Sequence, residues 1–175
     1  HNMENAVAAL AVADYMGVPH EKIKEALSTF IGVKRRFNRF EINGKIYIDD
    51  YAHHPTELNA AIRSVRELYP GKKVLGVFQP HLFTRTRDFA DEFAESLSEL
   101  DSLILLDIYP ARELPIEGIT SNWLLEKVNL QEKVVSSLED SLTHIKSKDF
   151  DVIVTLGAGN IDTIVKPIKE WLGEA

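Results

Sequence analysis

Short, mainly apolar runs separated by helical segments constrain this chain more than any other feature. Residues 74–78, 103–106 and 151–156 form three such runs, as expected of strands that are buried on both faces. The segments between them repeat apolar residues at three- and four-residue intervals, which is typical of α-helices. Strands that alternate with helices form mostly parallel sheets with right-handed crossovers. The sequence therefore predicts an α/β fold with a mostly parallel sheet and helices on both faces.

The chain opens on two helical segments, residues 3–16 and 19–32. The first is rich in alanine, and the second places four apolar residues on one face at helical spacing. These four residues are Ile23, Ala26, Leu27 and Phe30. The sequence thus predicts a short two-helix segment before the sheet. Because the chain runs into its first helix without a leader, we expect it to be a piece of a longer protein.

A basic connector, residues 34–38, separates these helices from a β-hairpin signal. Asn43-Gly44 stands between two stretches that alternate apolar and polar residues, and Asn-Gly is the strongest short-range sign of a tight hairpin. We therefore place a domain boundary at the connector. Residues 1–37 form the first unit, and residues 38–175 form the α/β domain.

Composition excludes several classes of protein. At 175 residues, 45% of them hydrophobic, the chain suits one domain, or one domain with an appendage. No apolar run approaches the roughly 20 residues that span a bilayer, so we expect no membrane partner. The absence of cysteine excludes disulfides and thiolate metal sites. A net charge of −7 disfavours a general nucleic-acid partner.

A polar stretch lies between the second hairpin strand and an amphipathic helix: Asp49-Asp50-Tyr51-Ala52-His53-His54-Pro55-Thr56-Glu57. Open α/β sheets bind ligands at such strand-to-helix corners. The alternative interpretation is a solvated strand end with an aspartate cap on the helix. Together with His81, these carboxylates and imidazoles would make a plausible set of metal ligands. Their spacing is not specific to a metal, so we predict no protein-only metal site.

Two further corners carry polar residues. Residues 79–87 follow the first buried strand, and Arg85 in this stretch is suited to a bidentate grip on a carboxylate or phosphate. The alternative is a surface arginine paired with Asp88 or Asp91. Residues 157–160, Gly-Ala-Gly-Asn, follow the last strand, and their backbone N–H groups offer a weak anion-binding signal or only a tight turn. All three corners are expected on the same edge of the sheet.

Common catalytic motifs do not occur. The chain has no serine or cysteine nucleophile elbow, no His-Glu-x-x-His helix and no Gly-x-x-x-x-Gly-Lys-Ser/Thr phosphate loop. If this chain works on a nucleotide, we expect the phosphate loop to lie outside it.

In their order along the chain, several motifs resemble those of the Mur ligase family of peptidoglycan synthesis, and within it the alanine-adding branch. These motifs are His1-Asn2-x-x-Asn5-Ala6, Arg35-Arg36-Phe37, the stretch 49–57, Phe78-Gln79-Pro80-His81, Thr84-Arg85-Thr86, Ile108-Tyr109-Pro110-Ala111-Arg112-Glu113, Pro115-Ile116-x-Gly118 and Gly157-Ala158-Gly159. They cover essentially the whole chain.

The resemblance implies an ATP-dependent, amide-forming ligase of three domains in the cytoplasm. Residues 1–37 would be the last helices of the central ATP-binding domain, and residues 38–175 the Rossmann-like C-terminal domain. ATP and Mg²⁺ would be bound mainly by the missing central domain. The substrates would be UDP-N-acetylmuramate and L-alanine, joined through an acyl phosphate. The N-terminal and central domains would be partners within the same protein, and this piece alone would be inactive.

The resemblance also implies residues on the nucleotide side of the site. Asn2 and Asn5 match positions near the adenine. Arg36 and Asp50 match positions near the ribose and the hinge. These four are therefore predicted to bind the cofactor.

Five residues are implied on the amino-acid side. Tyr51 and His53 match positions that line the amino-acid and acyl-phosphate site, and Arg85 matches a clamp for the L-alanine carboxylate. These three are the predicted catalytic residues. His53, His54, His81 and Arg85 are the predicted substrate-binding residues, with a structural role as the alternative for His54 and His81.

One departure from the family pattern is Leu82, where many members have arginine. Leucine removes one possible contact to a carboxylate or phosphate, so Arg85, or Arg87, would contribute more to binding that group.

Two rival functions remain. One is a metal-dependent phosphohydrolase that uses Asp49, Asp50 and the two adjacent histidines, and the other is a non-catalytic α/β binding module.

Overall fold

The computed structural model describes residues 2–174, apart from the side chain of Asn2. Within these residues, six strands form one sheet, and we number them along the chain as β1 (Asn38–Ile42), β2 (Lys45–Asp50), β3 (Val74–Phe78), β4 (Ser102–Leu106), β5 (Glu132–Ser136) and β6 (Val152–Leu156). The helices are α1 (Asn2–Tyr15), α2 (His20–Thr29), α3 (Pro55–Leu68), α4 (Phe83–Asp88), α5 (Ala90–Leu97), α6 (Ser121–Lys127), α7 (Ser141–Lys146) and α8 (Val165–Glu174).

The strands lie in the order β1-β2-β6-β3-β4-β5. Only the β1–β2 pair is antiparallel, and the other four pairs are parallel. The hairpin turns at Asn43 and Gly44, whose φ angles of 48° and 76° suit the tight turn that the twist of two strands favours. The predicted mostly parallel α/β sheet, preceded by two helices, is confirmed.

Helices cover both faces of the sheet, as predicted. On one face, α3, α5 and α6 pack on the strands through apolar side chains such as Leu58, Phe93 and Leu124. On the other face, α7 and α8 contribute a second apolar cluster that includes Ile145 and Ile168. β3, β4 and β6 are buried along their whole length, which explains why their sequences are almost uniformly apolar.

The sequence pattern does not reveal every helix of the α/β domain. The helix that carries Phe93 and Leu97 is preceded by α4, a separate six-residue helix that the sequence did not reveal. α7 begins at Ser141, directly after a turn that the Ser137 side chain and Asp140 close. The C-terminal helix is preceded by a 3-10 turn, Asn160–Ile164.

The two N-terminal helices pack against each other, but most of the predicted apolar face is exposed. α2 ends at Thr29, so Phe30 lies outside it, and Phe30 is 66% exposed. Leu27 is 43% exposed, whereas Ile23 is buried. Other exposed apolar residues of this segment are Met3, Val7, Leu10, Val12, Tyr15 and Met16. Within residues 2–174, no helix combines the length and apolarity of a membrane span.

Candidate functional site

The sheet brings the three polar corners together. β2, β6 and β3 are adjacent and parallel, so the residues that follow them meet at one edge. Tyr51 follows β2, Gly157 follows β6 and Gln79 follows β3. The expectation that all three corners share an edge is confirmed, and this is the edge at which open α/β sheets bind ligands.

The sequence predicts Asp49 and Asp50 in the corner after the strand. This prediction is wrong, because they are the last two residues of β2. Both are only 4% exposed. Asp49 accepts a hydrogen bond of 2.8 Å from the Thr155 hydroxyl of the neighbouring strand. Asp50 accepts from the backbone N–H groups of Phe37 (2.7 Å) and Ala52 (2.8 Å). Burial raises the pKa of both carboxyls, and these hydrogen bonds act against it. Both carboxylates therefore hold neighbouring backbone and strand groups in place.

The four residues predicted to bind the nucleotide differ in burial and in their contacts. Asp50 directs both oxygens to backbone N–H groups, so its ribose contact stays a prediction. Arg36 is exposed, and its charge favours the ionised form of Asp50. Asn5 is exposed on α1. The side chain of Asn2 lies outside the described residues.

Arg35, which was not among the predicted site residues, ties the connector to the sheet edge. Its guanidinium donates to the Gly157 carbonyl, lies 3.8 Å from the Asp49 carboxylate and sits 5.0 Å from the centre of the Tyr51 ring. Its own carbonyl accepts from the Tyr51 N–H at 2.7 Å. The backbone of Arg35 is left-handed, with φ of 58°. The signal in the sequence was the basic connector itself.

His54 has a structural task. Its ring accepts from the Thr56 N–H, and Glu57 accepts from the backbone N–H groups of His53 and His54, which completes a capping box on α3. The His54 ring also packs on Phe89, with centroids 4.8 Å apart. The cap on this helix is therefore a histidine and not an aspartate, and the substrate contact of His54 stays a prediction.

Four rings form a row along the edge, and we call Tyr51, His53, His81 and Tyr109 the ring row. Successive centroids are 5.2, 6.1 and 5.6 Å apart. Nδ1 of His53 lies 3.0 Å from the Tyr51 carbonyl and 3.2 Å from the Glu57 carboxylate. These contacts fix the orientation of the His53 ring. The predicted residues Tyr51, His53 and His81 are thus neighbours in space.

Three buried nitrogens at this edge have no hydrogen-bond partner among residues 2–174. One is Arg35 Nε, which lies 3.8 Å from the Asp49 carboxylate, and the other two, His81 Nδ1 and Arg85 Nη1, share the corner after β3. The alternative pairing of Arg85 with an aspartate of its own helix or the next is wrong. Asp88 pairs with Arg87 at 2.7 Å, and Asp91 pairs with Lys127 at 2.8 Å. Buried polar groups are normally satisfied. Two unsatisfied nitrogens in one corner therefore indicate a place for an acceptor from outside, and a carboxylate would suit the guanidinium.

The ionisation of His81 provides a test of this environment. Burial, then the charge of Arg85 and then His53 lower the pKa of His81 from its ordinary value of 6.5. An Arg85→Ala substitution removes a positive charge, so the pKa of His81 is expected to rise towards that value. Imidazole chemical shifts followed against pH in the 175-residue chain would measure it. An unchanged pKa in the variant would show that the two groups do not interact.

The glycine turn after β6 is explained by packing. Gly157 has a φ of 143°, and a β-carbon there would lie 2.8 Å from the Gln79 carbonyl oxygen. A β-carbon on Gly159 would lie 2.8 Å from Tyr109 and closer still to Gln79. The Gln79 side chain accepts from the Ile161 N–H and donates to Asn160. Buried Gln79 thus orders this turn, a role that the sequence did not reveal.

The arrangement does not favour a metal site. Within residues 2–174, no three histidine, aspartate or glutamate side chains come together as ligands for one ion. Asp49, Asp50 and His54 are engaged with Thr155, backbone N–H groups and the cap of α3. The geometry therefore offers little to the rival phosphohydrolase.

Comparison with known proteins decides the family. The model of the family described as "Mur ligase, glutamate ligase domain" matches residues 35–159. The chain belongs to the Mur ligase family. This match begins at Arg35, in the connector, and ends at Gly159, in the glycine turn.

Individual members are also similar to the chain. The UDP-N-acetylmuramate–L-alanine ligases of Flavobacterium johnsoniae and Flavobacterium psychrophilum are 55% and 57% identical to it, each over 99% of the chain and 39% of the relative. A crystal structure of the UDP-N-acetylmuramate–alanine ligase of Thermotoga maritima is 26% identical, with a TM-score of 0.78, over 100% of the chain and 38% of that protein. The chain thus spans about two fifths of the length of these relatives.

Proposed function

We propose that this Mur ligase chain is the C-terminal part of a cytoplasmic, ATP-dependent ligase that joins L-alanine to UDP-N-acetylmuramate in peptidoglycan precursor synthesis. The observation that carries the proposal is the buried Arg85 Nη1, which has no hydrogen-bond partner among residues 2–174 and whose charge acts on His81 of the ring row. An amino acid has a carboxylate that such a guanidinium can bind. The two Flavobacterium relatives, which are named for this reaction, support the choice of substrates.

The geometry supports positioning more than proton transfer. ATP, with Mg²⁺, would supply a phosphoryl group to the muramoyl carboxylate and leave as ADP, and the L-alanine amine would then displace inorganic phosphate from the acyl phosphate. Arg85 then holds the carboxylate of L-alanine, and Tyr51 and His53 line the path of its amine. Because His53 Nδ1 is held by the Tyr51 carbonyl and by Glu57, its ring stays in one orientation. A fixed orientation of this kind lowers the barrier by pre-organising the reacting groups.

The described residues fit only part of the nucleotide site. Asp49 and Asp50 are buried and hydrogen-bonded, so neither suits Mg²⁺. Arg36 and Asn5 are exposed, so their side chains would be accessible to a nucleotide held by another domain. We therefore assign the phosphates and the metal ion to a central domain that precedes this chain in the full-length protein.

The two N-terminal helices support the proposed boundary. Residues 1–37 would belong to the central domain, and residues 38–175 to the C-terminal one. The exposed apolar side chains of α1 and α2 form a surface that other parts of the same protein would cover, since monomeric proteins rarely leave such patches open. The N-terminal and central domains are the proposed partners.

The proposal makes a direct prediction about activity. The 175-residue chain alone should show no ligation, because it lacks a phosphate loop. The full-length protein should release phosphate from ATP only when UDP-N-acetylmuramate and L-alanine are both present. A coupled phosphate assay with each substrate omitted in turn would measure this. Turnover by the chain alone would contradict the division of labour, and tight binding of Mn²⁺ or Zn²⁺ by it would favour the phosphohydrolase.

A further inference from the structure

The loop between β4 and α6 is joined to the corner that carries His81 and Arg85. The Tyr109 N–H donates to the Pro80 carbonyl at 2.8 Å, and the Leu82 N–H donates to the Tyr109 carbonyl at 2.9 Å. His81 and Tyr109 therefore form a short parallel β-bridge. Their rings also stack, with an angle of 22° between the ring planes. The loop thus fixes His81 from one side.

The same loop caps α4 from outside the helix. The Glu113 carboxylate accepts from the Thr84 N–H at 3.0 Å and from the Thr84 hydroxyl. Leu82, at the N-cap position, makes no side-chain capping bond, because leucine has no acceptor. α4 has only six residues, too few for a stable helix without tertiary support. Glu113 supplies the cap that Leu82 lacks.

The backbone that enters α4 is strained. Leu82 has a φ of 75°, a region that costs a non-glycine residue roughly 1–3 kcal/mol. Its carbonyl accepts from the Thr86 N–H at 3.1 Å and from the Thr86 hydroxyl at 2.8 Å. Arg85 lies between Thr84 and Thr86, and both of these neighbours are held. The place of the Arg85 side chain therefore depends on the contacts that keep this turn in its strained form.

We propose that Glu113 is a positioning residue for the substrate carboxylate, acting through Thr84 to hold Arg85. The inference rests on the proposed function of this site. Both Glu113 oxygens are engaged by Thr84, and no ion pair within 4.0 Å joins Glu113 to Arg85 among residues 2–174. The guanidinium thus stays available for a ligand. Glu113 does not touch the substrate but sets the geometry of the group that does.

A double-mutant cycle in the full-length protein tests this. Glu113→Ala is expected to raise KM for L-alanine about tenfold, roughly the effect of losing a hydrogen bond to a charged group, and to leave KM for ATP within about twofold. Because Glu113 acts through Arg85, the Glu113→Ala/Arg85→Ala double variant should bind L-alanine no worse than Arg85→Ala alone. Glu117→Ala removes an exposed glutamate from the same loop and should change neither constant.

Two milder variants keep the test decisive if Glu113→Ala folds poorly. Glu113→Gln retains one acceptor, and Thr84→Val removes only the hydroxyl donor; both should raise KM for L-alanine less than Glu113→Ala does. Equal rises in both KM values, or additive effects in the double variant, would make Glu113 a general structural residue and overturn the inference. If Arg85→Ala itself leaves KM for L-alanine unchanged, the clamp in the proposed function fails, and this inference fails with it.

Discussion

Replacing Arg85 with alanine in the full-length protein is expected to raise KM for L-alanine by roughly ten- to a hundredfold, because a hydrogen bond to a charged group is worth about 1.5–3 kcal/mol. KM for ATP should stay within about twofold, since the proposed nucleotide contacts lie on other residues. Little reorganisation is expected, because Arg85 Nη1 has no partner among residues 2–174 to leave behind. Initial rates of phosphate release, measured against each substrate in turn, would give both constants.

Arg87 provides the matched control for this substitution. It lies two residues further along the same helix, is exposed and pairs with Asp88, so Arg87→Ala should leave KM for L-alanine nearly unchanged. Arg85→Lys should be intermediate, because an ammonium keeps the charge but loses the bidentate geometry. A rise in KM for L-alanine in Arg87→Ala would show that Arg87 also contributes to binding the carboxylate, in a chain that has leucine at position 82. Equal rises in KM for both substrates in Arg85→Ala would contradict the clamp.

The parts of the fold that the sequence predicted are those that local pattern determines. Residues 74–78 read as a buried strand because both faces of β3 are covered, and Asn43-Gly44 read as a hairpin because few residues adopt the left-handed angles found there. Asp49 and Asp50 were misplaced because two adjacent carboxylates look like a loop. The hydrogen bond that satisfies buried Asp49 comes from Thr155, 106 residues away, and no local pattern contains that contact.

The site divides in the same way. The sequence predicted that its three corners would share one edge, since the carboxyl ends of parallel strands meet there. It could not predict that Arg85 Nη1 has no hydrogen-bond partner among residues 2–174. One reason is that Asp91 pairs with Lys127, which lies 36 residues away in sequence. It also assigned no role to Glu113, which it noted only as part of a family motif, because the hydrogen bonds of Glu113 reach 29 residues back to Thr84. The sequence thus predicted which polar residues gather at this edge, but it did not predict their tertiary hydrogen-bond and ion-pair partners.

Gly157 is the position at which a single methyl group should do most damage to the fold. A Gly157→Ala substitution would place a β-carbon 2.8 Å from the Gln79 carbonyl oxygen, at a φ of 143° that side chains rarely adopt. Strain and overpacking each cost roughly 1–3 kcal/mol, and the Gln79 backbone cannot move away cheaply, because its N–H donates to the Leu156 carbonyl at 3.0 Å. We expect a loss of about 3 kcal/mol of stability and a fall in Tm of roughly 6–12 °C, measured by thermal unfolding of the 175-residue chain. Gly173→Ala is the control. Gly173 is exposed on the last turn of α8, and a β-carbon there would lie 4.0 Å from Ile42, an ordinary contact distance. The Gly173→Ala variant should be as stable as the parent chain, or more stable by up to about 1 kcal/mol. If Gly157→Ala had the same Tm as Gly173→Ala, the close contact between its β-carbon and the Gln79 carbonyl would be disproved.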